Sequence, residues 1–247
     1  MNLPRVQGDI RRRLLVNFRV DPEVIRAQLP DEFEPKLLGG SAVAGICLIR
    51  LEHERPPYLP GFLGTASENA AHRIAVRSRA DGQDAVYIPR RDTDSPLNRL
   101  LGGRLFPGEH HAGMFDVDDA GGRIGIEMRS RDGSVVVEVR GREADALPAS
   151  SRFGSLEEAS AFFATGALGY SATKRVDHLD GVFLATKSWA VRPLAVEHVF
   201  SSYFADKRRF PSGSVEFDSA LLMRDIEHEW ITRDELYLDA PTDRPAA

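Results

Sequence analysis

Glu68 and His72 sit in an alternating stretch, Ser67 to Arg79, whose spacing could place acid–base chemistry in an interior. Glu68, Ala70, His72, Ile74 and Val76 share one face of a strand here, and Asn69, Ala71, Arg73, Ala75, Arg77 and Arg79 share the other. The arginine face is expected to be solvated, which turns Glu68 and His72 inward beside Ile74 and Val76. An inward carboxylate is costly unless it is paired or functional. Glu68 is therefore a candidate catalytic acid/base, and the competing reading is a satisfied ion pair with a core arginine or histidine.

A second group follows at Asp84 to Ser95, where Tyr87-Ile88-Pro89 runs into Arg90-Arg91-Asp92 and Asp94. Pro89 has no N–H for a ladder, so the strand is expected to end or bulge there, with the charges at its rim. Guanidinium groups hold carboxylates bidentately, so Arg90 and Arg91 are candidate ligand-binding residues, with His72 and Tyr87 beside them. The alternative is that both arginines pair with Asp92 and Asp94 at a solvated rim. Lysines occur only at Lys36, Lys174, Lys187 and Lys207. An Asp180-Gly181 turn would set Lys174 opposite Lys187 on a largely apolar face, and opposed like charges need an acid, an anionic ligand or a depressed lysine to relieve them. Lys174 and Lys187 are thus candidate amines, against the commoner finding of exposed lysines.

Other chemistries find less support. Cys47 is the single cysteine, which excludes an internal disulfide and a multi-cysteine metal site, and it reads as a small core residue rather than a nucleophile. His110-His111 are adjacent and would face opposite ways on a strand, and no His-x-His or His-Glu-x-x-His spacing exists, so no metal or other cofactor is expected. No Gly-x-Ser-x-Gly elbow is present for serine hydrolysis.

The elements that must position these groups are mostly strands. Leu14–Val20 reads as a strand, Asp21-Pro22-Glu23 opens a short helix to about Leu29, and Ala42–Leu51 is apolar enough to be buried on both faces. Asp132-Gly133 marks a hairpin between Arg123–Arg131 and Ser134–Arg140, and Asp180-Gly181 a second between Leu168–His178 and Val182–Val191. Ser155 to Glu158 is a capping box opening a helix through Phe162 and Phe163. Pro96–Leu105 and Pro193–Phe204 read as helices, and Ser214–Met223 and Ile226–Ile231 as late strands, with Trp230 buried. No linker or repeat divides the chain, so one domain over residues 1–240 is expected, with a frayed tail at 241–247. With 42% hydrophobic residues and a net charge of -5, the chain can bury a core and has no basic footprint for nucleic acid. No signal peptide or membrane-length segment is seen, so a soluble cytoplasmic protein with a small-molecule ligand or substrate is expected. Homo-oligomerisation is left open.

With these residues placed, the chain resembles an uncharacterised family allied to acetoacetate decarboxylase. The resemblance is carried by Asn17-Phe18 before the Asp21-Pro22 helix, Leu29-Pro30, Ser67-Glu68-Asn69, Tyr87-Ile88-Pro89-Arg90-Arg91, His110 to Met114, and the stretch from Gly169-Tyr170 to Trp189. It implies a β-rich fold, mainly antiparallel with a few helices, closed into a cone-shaped barrel with an interior pocket. It also implies an interior lysine that forms a Schiff base with a keto acid. Arg90 and Arg91 stand where the resemblance places the family's lysine pair, and Glu68 where it places a pocket carboxylate. Arginine stays protonated and forms no imine, so decarboxylation of acetoacetate itself is not expected. Two functions remain: a lyase-like enzyme acting on a small carbonyl or carboxylate compound, and a barrel that binds such a molecule without catalysis.

Overall fold

The computed structural model describes residues 5–101 and 107–238. The first strand is β1 (Arg5–Val20), followed by helix α1 (Pro22–Arg26), whose first turn is closed by the Asp21 carboxylate accepting from the Glu23 N–H at 2.9 Å. Short strands β2 (Phe33–Pro35) and β3 (Leu37–Leu38) lead into the long β4 (Ser41–Arg55), β5 (Thr65–Ser78) and β6 (Asp84–Thr93). Helix α2 (Pro96–Leu101) precedes a meander of β7 (His110–Ala120), β8 (Arg123–Ser130) and β9 (Val136–Glu143). Helix α3 (Leu156–Ala164), strands β10 (Leu168–Ala172), β11 (His178–Thr186) and β12 (Arg192–Ser201), the turn of helix α4 (Ser202–Ala205) and the 23-residue β13 (Val215–Tyr237) complete the chain. The last residues of the expected Pro96–Leu105 helix and the expected tail lie outside the described residues.

Thirteen strands join in one sheet that closes on itself. One circuit runs β13, β1, β4, β5, β6, β10, β11 and back to β13; a second leaves β6 through β7, β8, β9 and β12 and rejoins at β13. The strands β1, β4 and β5 are common to both, so they form a wall with protein on each side. Leu14, Val16, Ile46, Leu48 and Ile74 pack on one side with Ile126, Met128 and Val139 of the meander. Leu15, Cys47, Ile49 and Ala75 pack on the other with Phe163 of α3 and Leu184 of β11. This two-sided burial is why Ala42–Leu51 is almost continuously apolar. The fold is the β-rich closed barrel expected from the sequence.

The structure bears out several local readings. Pro89 sits at a bulge: the β5–β6 register slips between His72 and Ile74, so that Arg90 faces His72 while Tyr87 faces Ile74. The Asp132-Gly133 turn joins β8 to β9. Ser155 Oγ accepts from the Glu158 N–H at 3.1 Å, starting α3.

Other readings are corrected. The Asp180-Gly181 pair is not a turn but lies inside β11, opposite Ser171 and Tyr170 of β10. A Cβ on Gly181 would lie 2.6 Å from the Asp234 carbonyl oxygen, so glycine there serves close strand approach beside a bulge. Pro193–Phe204 is mainly strand, paired with β9. A bulge between Val196 and His198 breaks its alternation, which is why Leu194, Val196, Val199 and Phe200 have helix-like spacing. The two late strands are one, β13, bent at Asp225 with φ 54°. Trp230 is half-buried rather than buried. No helix among the described residues is long and apolar enough to cross a membrane.

Candidate functional site

The principal cavity, about 150 Å³, lies inside the seven-strand circuit between the β1–β4–β5 wall and helix α3. Strand register fixes its floor. Leu15, Cys47, Ala71 and Arg91 form one cross-strand row through β1, β4, β5 and β6. Arg13, Ile49 and Asn69 make the row on one side; Asn17, Gly45 and Arg73 make the row on the other. Gly45 and Ala71 carry little or no side chain, so the arginines can reach across the floor.

The face of β5 that presents Arg73 is therefore interior around Ala71, Arg73 and Ala75, correcting the expectation that it is solvated, which holds at Arg77 and Arg79. Arg73 is 5% exposed, its guanidinium reaches over Gly45 to donate to Asn17 Oδ1, and its charge lies 4.8 Å from the Phe163 ring centroid. Arg91 donates twice to Ser171 Oγ, at 3.0 and 2.8 Å. Arg13 donates to Cys47 Sγ at 3.5 Å and stacks 5.7 Å over Trp189. Arg13, Arg73 and Arg91 all line the cavity, and none has a carboxylate partner among the described residues. Burial lowers Arg73 and Arg91 to about 10, which leaves both charged at neutral pH.

The remaining sequence candidates are placed elsewhere. Glu68 is buried as expected but turns away from the cavity, where Arg12 NH2 donates to its Oε2 at 2.6 Å. Burial lifts its carboxyl above the usual range against the pull of Arg12 and Arg50. His72 is fully buried against Tyr203 and Phe204 in the other core, with Nε2 3.2 Å from Ser201 Oγ. Tyr87 packs beside Phe33 on that same side, and burial raises its hydroxyl to about 12. Arg90 pairs with Asp92 through two 2.9 Å bonds and contacts Asp132 at 3.3 Å, but Asp92 is fully buried rather than at a solvated rim. Asp94 instead accepts the Glu68 backbone N–H at 2.9 Å. Because Asp180-Gly181 is no turn, Lys174 and Lys187 are not opposed. Lys174 is exposed in the β10–β11 connection, and Lys187 is an exposed partner of Glu227.

Sequence reasoning passed over Arg13, Arg73 and Lys36. The available signal for Arg73 was its flanking pair, Ala71 and Ala75, too small for an ordinary solvated face next to a strand buried on both sides. Lys36 lines the cavity but is bound to Asp84 at 2.8 Å, Thr165 Oγ1 at 2.7 Å and the Phe162 carbonyl at 3.1 Å. Away from the cavity, His178, Asp180 and Glu235 bring ligand atoms within 4.8 Å of one another and could hold a metal ion, although Asp180 already accepts the Gly108 N–H at 2.7 Å.

Comparison with known proteins decides the family. The model of a family of uncharacterised conserved proteins, DUF2071, matches residues 8–212. The chain belongs to the DUF2071 family. No significant sequence match is found among curated proteins. The fold is that of acetoacetate decarboxylase-like proteins. The enzyme from Legionella pneumophila superposes with a TM-score of 0.61 at 10% identity, over 93% of this chain and 87% of that one. An acetoacetate decarboxylase-like enzyme from Sphingomonas wittichii gives 0.63 at 12% identity, over 97% and 95%. The enduracididine biosynthesis enzyme MppR, solved with pyruvate, gives 0.60 at 13% identity, over 97% and 91%. The DUF2071 chain thus shares their barrel at very low sequence identity.

Proposed function

We propose that this DUF2071 protein binds a small carboxylate or oxo-carboxylate compound in the barrel cavity and performs lyase-type chemistry on it without an imine-forming lysine on β6. The observation that carries this reading is the set of guanidiniums, Arg13, Arg73 and Arg91, lining one cavity without carboxylate partners. A buried charge without a counterion is expensive by several kcal/mol, and a bound carboxylate would offset that cost. The related barrel of MppR, solved with pyruvate, supports a ligand of that size and charge. Arg91 is the ligand contact retained from the sequence reading; Glu68, His72, Tyr87 and Arg90 take structural roles.

Binding without turnover is the second reading. It is favoured by the engagement of the cavity's own carboxylates: Asp84 with Lys36, Asp92 with Arg90, and Glu54 Oε1 2.9 Å from His228 Nε2. With a single cysteine, which can form no internal disulfide, we assign the protein to the cytoplasm. A thermal-shift panel of short oxo acids and their methyl esters, followed by proton NMR of any stabilising acid, tests both readings. Stabilisation by acids and not by esters, with loss of substrate signal, supports the enzyme. Stabilisation without loss leaves the binding barrel, and equal response to esters overturns the carboxylate assignment.

A further inference from the structure

Cys47 lies at the centre of the cavity floor, and its surroundings differ from those expected of an inert core thiol. Across the sheet it is in register with Leu15 and Ala71, and Ala71 is in register with Arg91. Arg13 and Arg73 stand in the flanking rows, so all three guanidinium-bearing residues share the cavity with Cys47. Its sulfur accepts from Arg13 Nε at 3.5 Å, and its remaining 8% exposure is to the cavity it lines.

A second observation marks the same place as a ligand site. Arg73 is 95% buried by its 5% exposure, lines the cavity, and its Nε has no hydrogen-bond partner among the described residues. A buried donor is ordinarily satisfied, so this one calls for an acceptor in the cavity. The amines offer no competing nucleophile, since Lys36 is held by three oxygen acceptors and Lys187 by Glu227 at the surface.

We propose, building on the carboxylate reading above, that Cys47 is the cavity's nucleophile, adding reversibly to the carbonyl carbon of a short oxo acid whose carboxylate is held by Arg73 and Arg91. The sulfur electron pair forms the C–S bond, and the carbonyl π pair moves onto oxygen. That oxygen takes up the proton the thiol gives, so the adduct is a thiohemiacetal and no atom leaves. A guanidinium beside the new oxygen stabilises the charge that develops on it. Sulfur would then supply the covalent handle that the arginines of β6 cannot.

Cys47 is the single cysteine of the chain, so its labelling can be followed on the intact wild-type protein by mass. Iodoacetate and iodoacetamide differ mainly in charge, and both form a C–S bond with loss of iodide. The cationic cavity should make iodoacetate the faster reagent by on the order of ten-fold, and glyoxylate should slow that labelling. Arg73→Gln and Arg91→Gln, checked for native circular dichroism, should lose the preference for the anionic reagent. Labelling by iodoacetamide at an equal or greater rate, or no labelling of the folded protein, would overturn the proposal. A parallel titration of Cys47→Ser with glyoxylate separates the two claims. Binding retained there, with wild-type Cys47 unreactive, removes the nucleophile and leaves the carboxylate site standing; no binding by either protein removes both.

Discussion

His72 shows how burial alone sets the behaviour of a side chain that looked functional. Its ring is fully buried, and burial, reinforced by Arg90 and Arg209, lowers its pKa from 6.5 to about 3. The folded protein keeps it neutral while the unfolded chain protonates it below 6.5, so stability is complete above that pH and is lost progressively as pH falls toward about 3. The loss is about 1.4 kcal/mol per pH unit for one such group. Urea denaturation between about pH 7 and about pH 5 should show a falling midpoint. His72→Leu should flatten the dependence, leaving the part owed to His110, which is also lowered to about 3. An unchanged slope in His72→Leu would contradict a neutral buried ring. Glu68 is the companion case. Glu68→Gln leaves buried Arg12 short of its nearest counter-charge and should cost about 3–5 kcal/mol, while carboxylate binding stays as in wild type. Lost binding with unchanged stability would return Glu68 to the site.

At the scale of elements, the shared wall of β1, β4 and β5 decides which faces of these strands become functional. Gly45 lets β4 approach β1, because a Cβ there would lie 2.2 Å from the Val16 carbonyl oxygen, and it leaves the path from Arg73 to Asn17 open. Gly45→Ala should therefore destabilise by about 1–3 kcal/mol and weaken carboxylate binding together; a melting temperature equal to wild type would contradict the close approach. The sequence made the strands, the Pro89 bulge, the Ser155 cap and the Asp132-Gly133 hairpin legible, because each rests on local backbone chemistry. It misled where tertiary pairing overrode a local signal. Asp180-Gly181 has hairpin composition but fills a bulged strand, and the β12 bulge gave Leu194 to Phe200 a helical rhythm. The face of β5 was unreadable for a deeper reason: alternation separates two faces but does not say which cavity each one meets. Glu68 and Arg73 are both buried, on opposite sides of one sheet, and only the closed circuit distinguishes the packed core from the cavity.

At the scale of the whole molecule, strand β13 links the architecture to the site. It pairs with β1 along most of its length, with β11 to close the seven-strand circuit, and with β12 to rejoin the meander. The cavity with its three guanidiniums exists because that circuit closes around a wall whose outer side is already packed. This arrangement keeps the barrel of acetoacetate decarboxylase-like proteins and sets the Arg91 guanidinium against its cavity. The most direct test of a carboxylate held by that guanidinium is isothermal titration calorimetry with pyruvate, comparing wild type, Arg91→Gln and the methyl ester of the ligand. Saturable binding by the wild type, weakened at least about ten-fold by Arg91→Gln or by esterification, is the predicted result. Binding that is indifferent to both changes would contradict it.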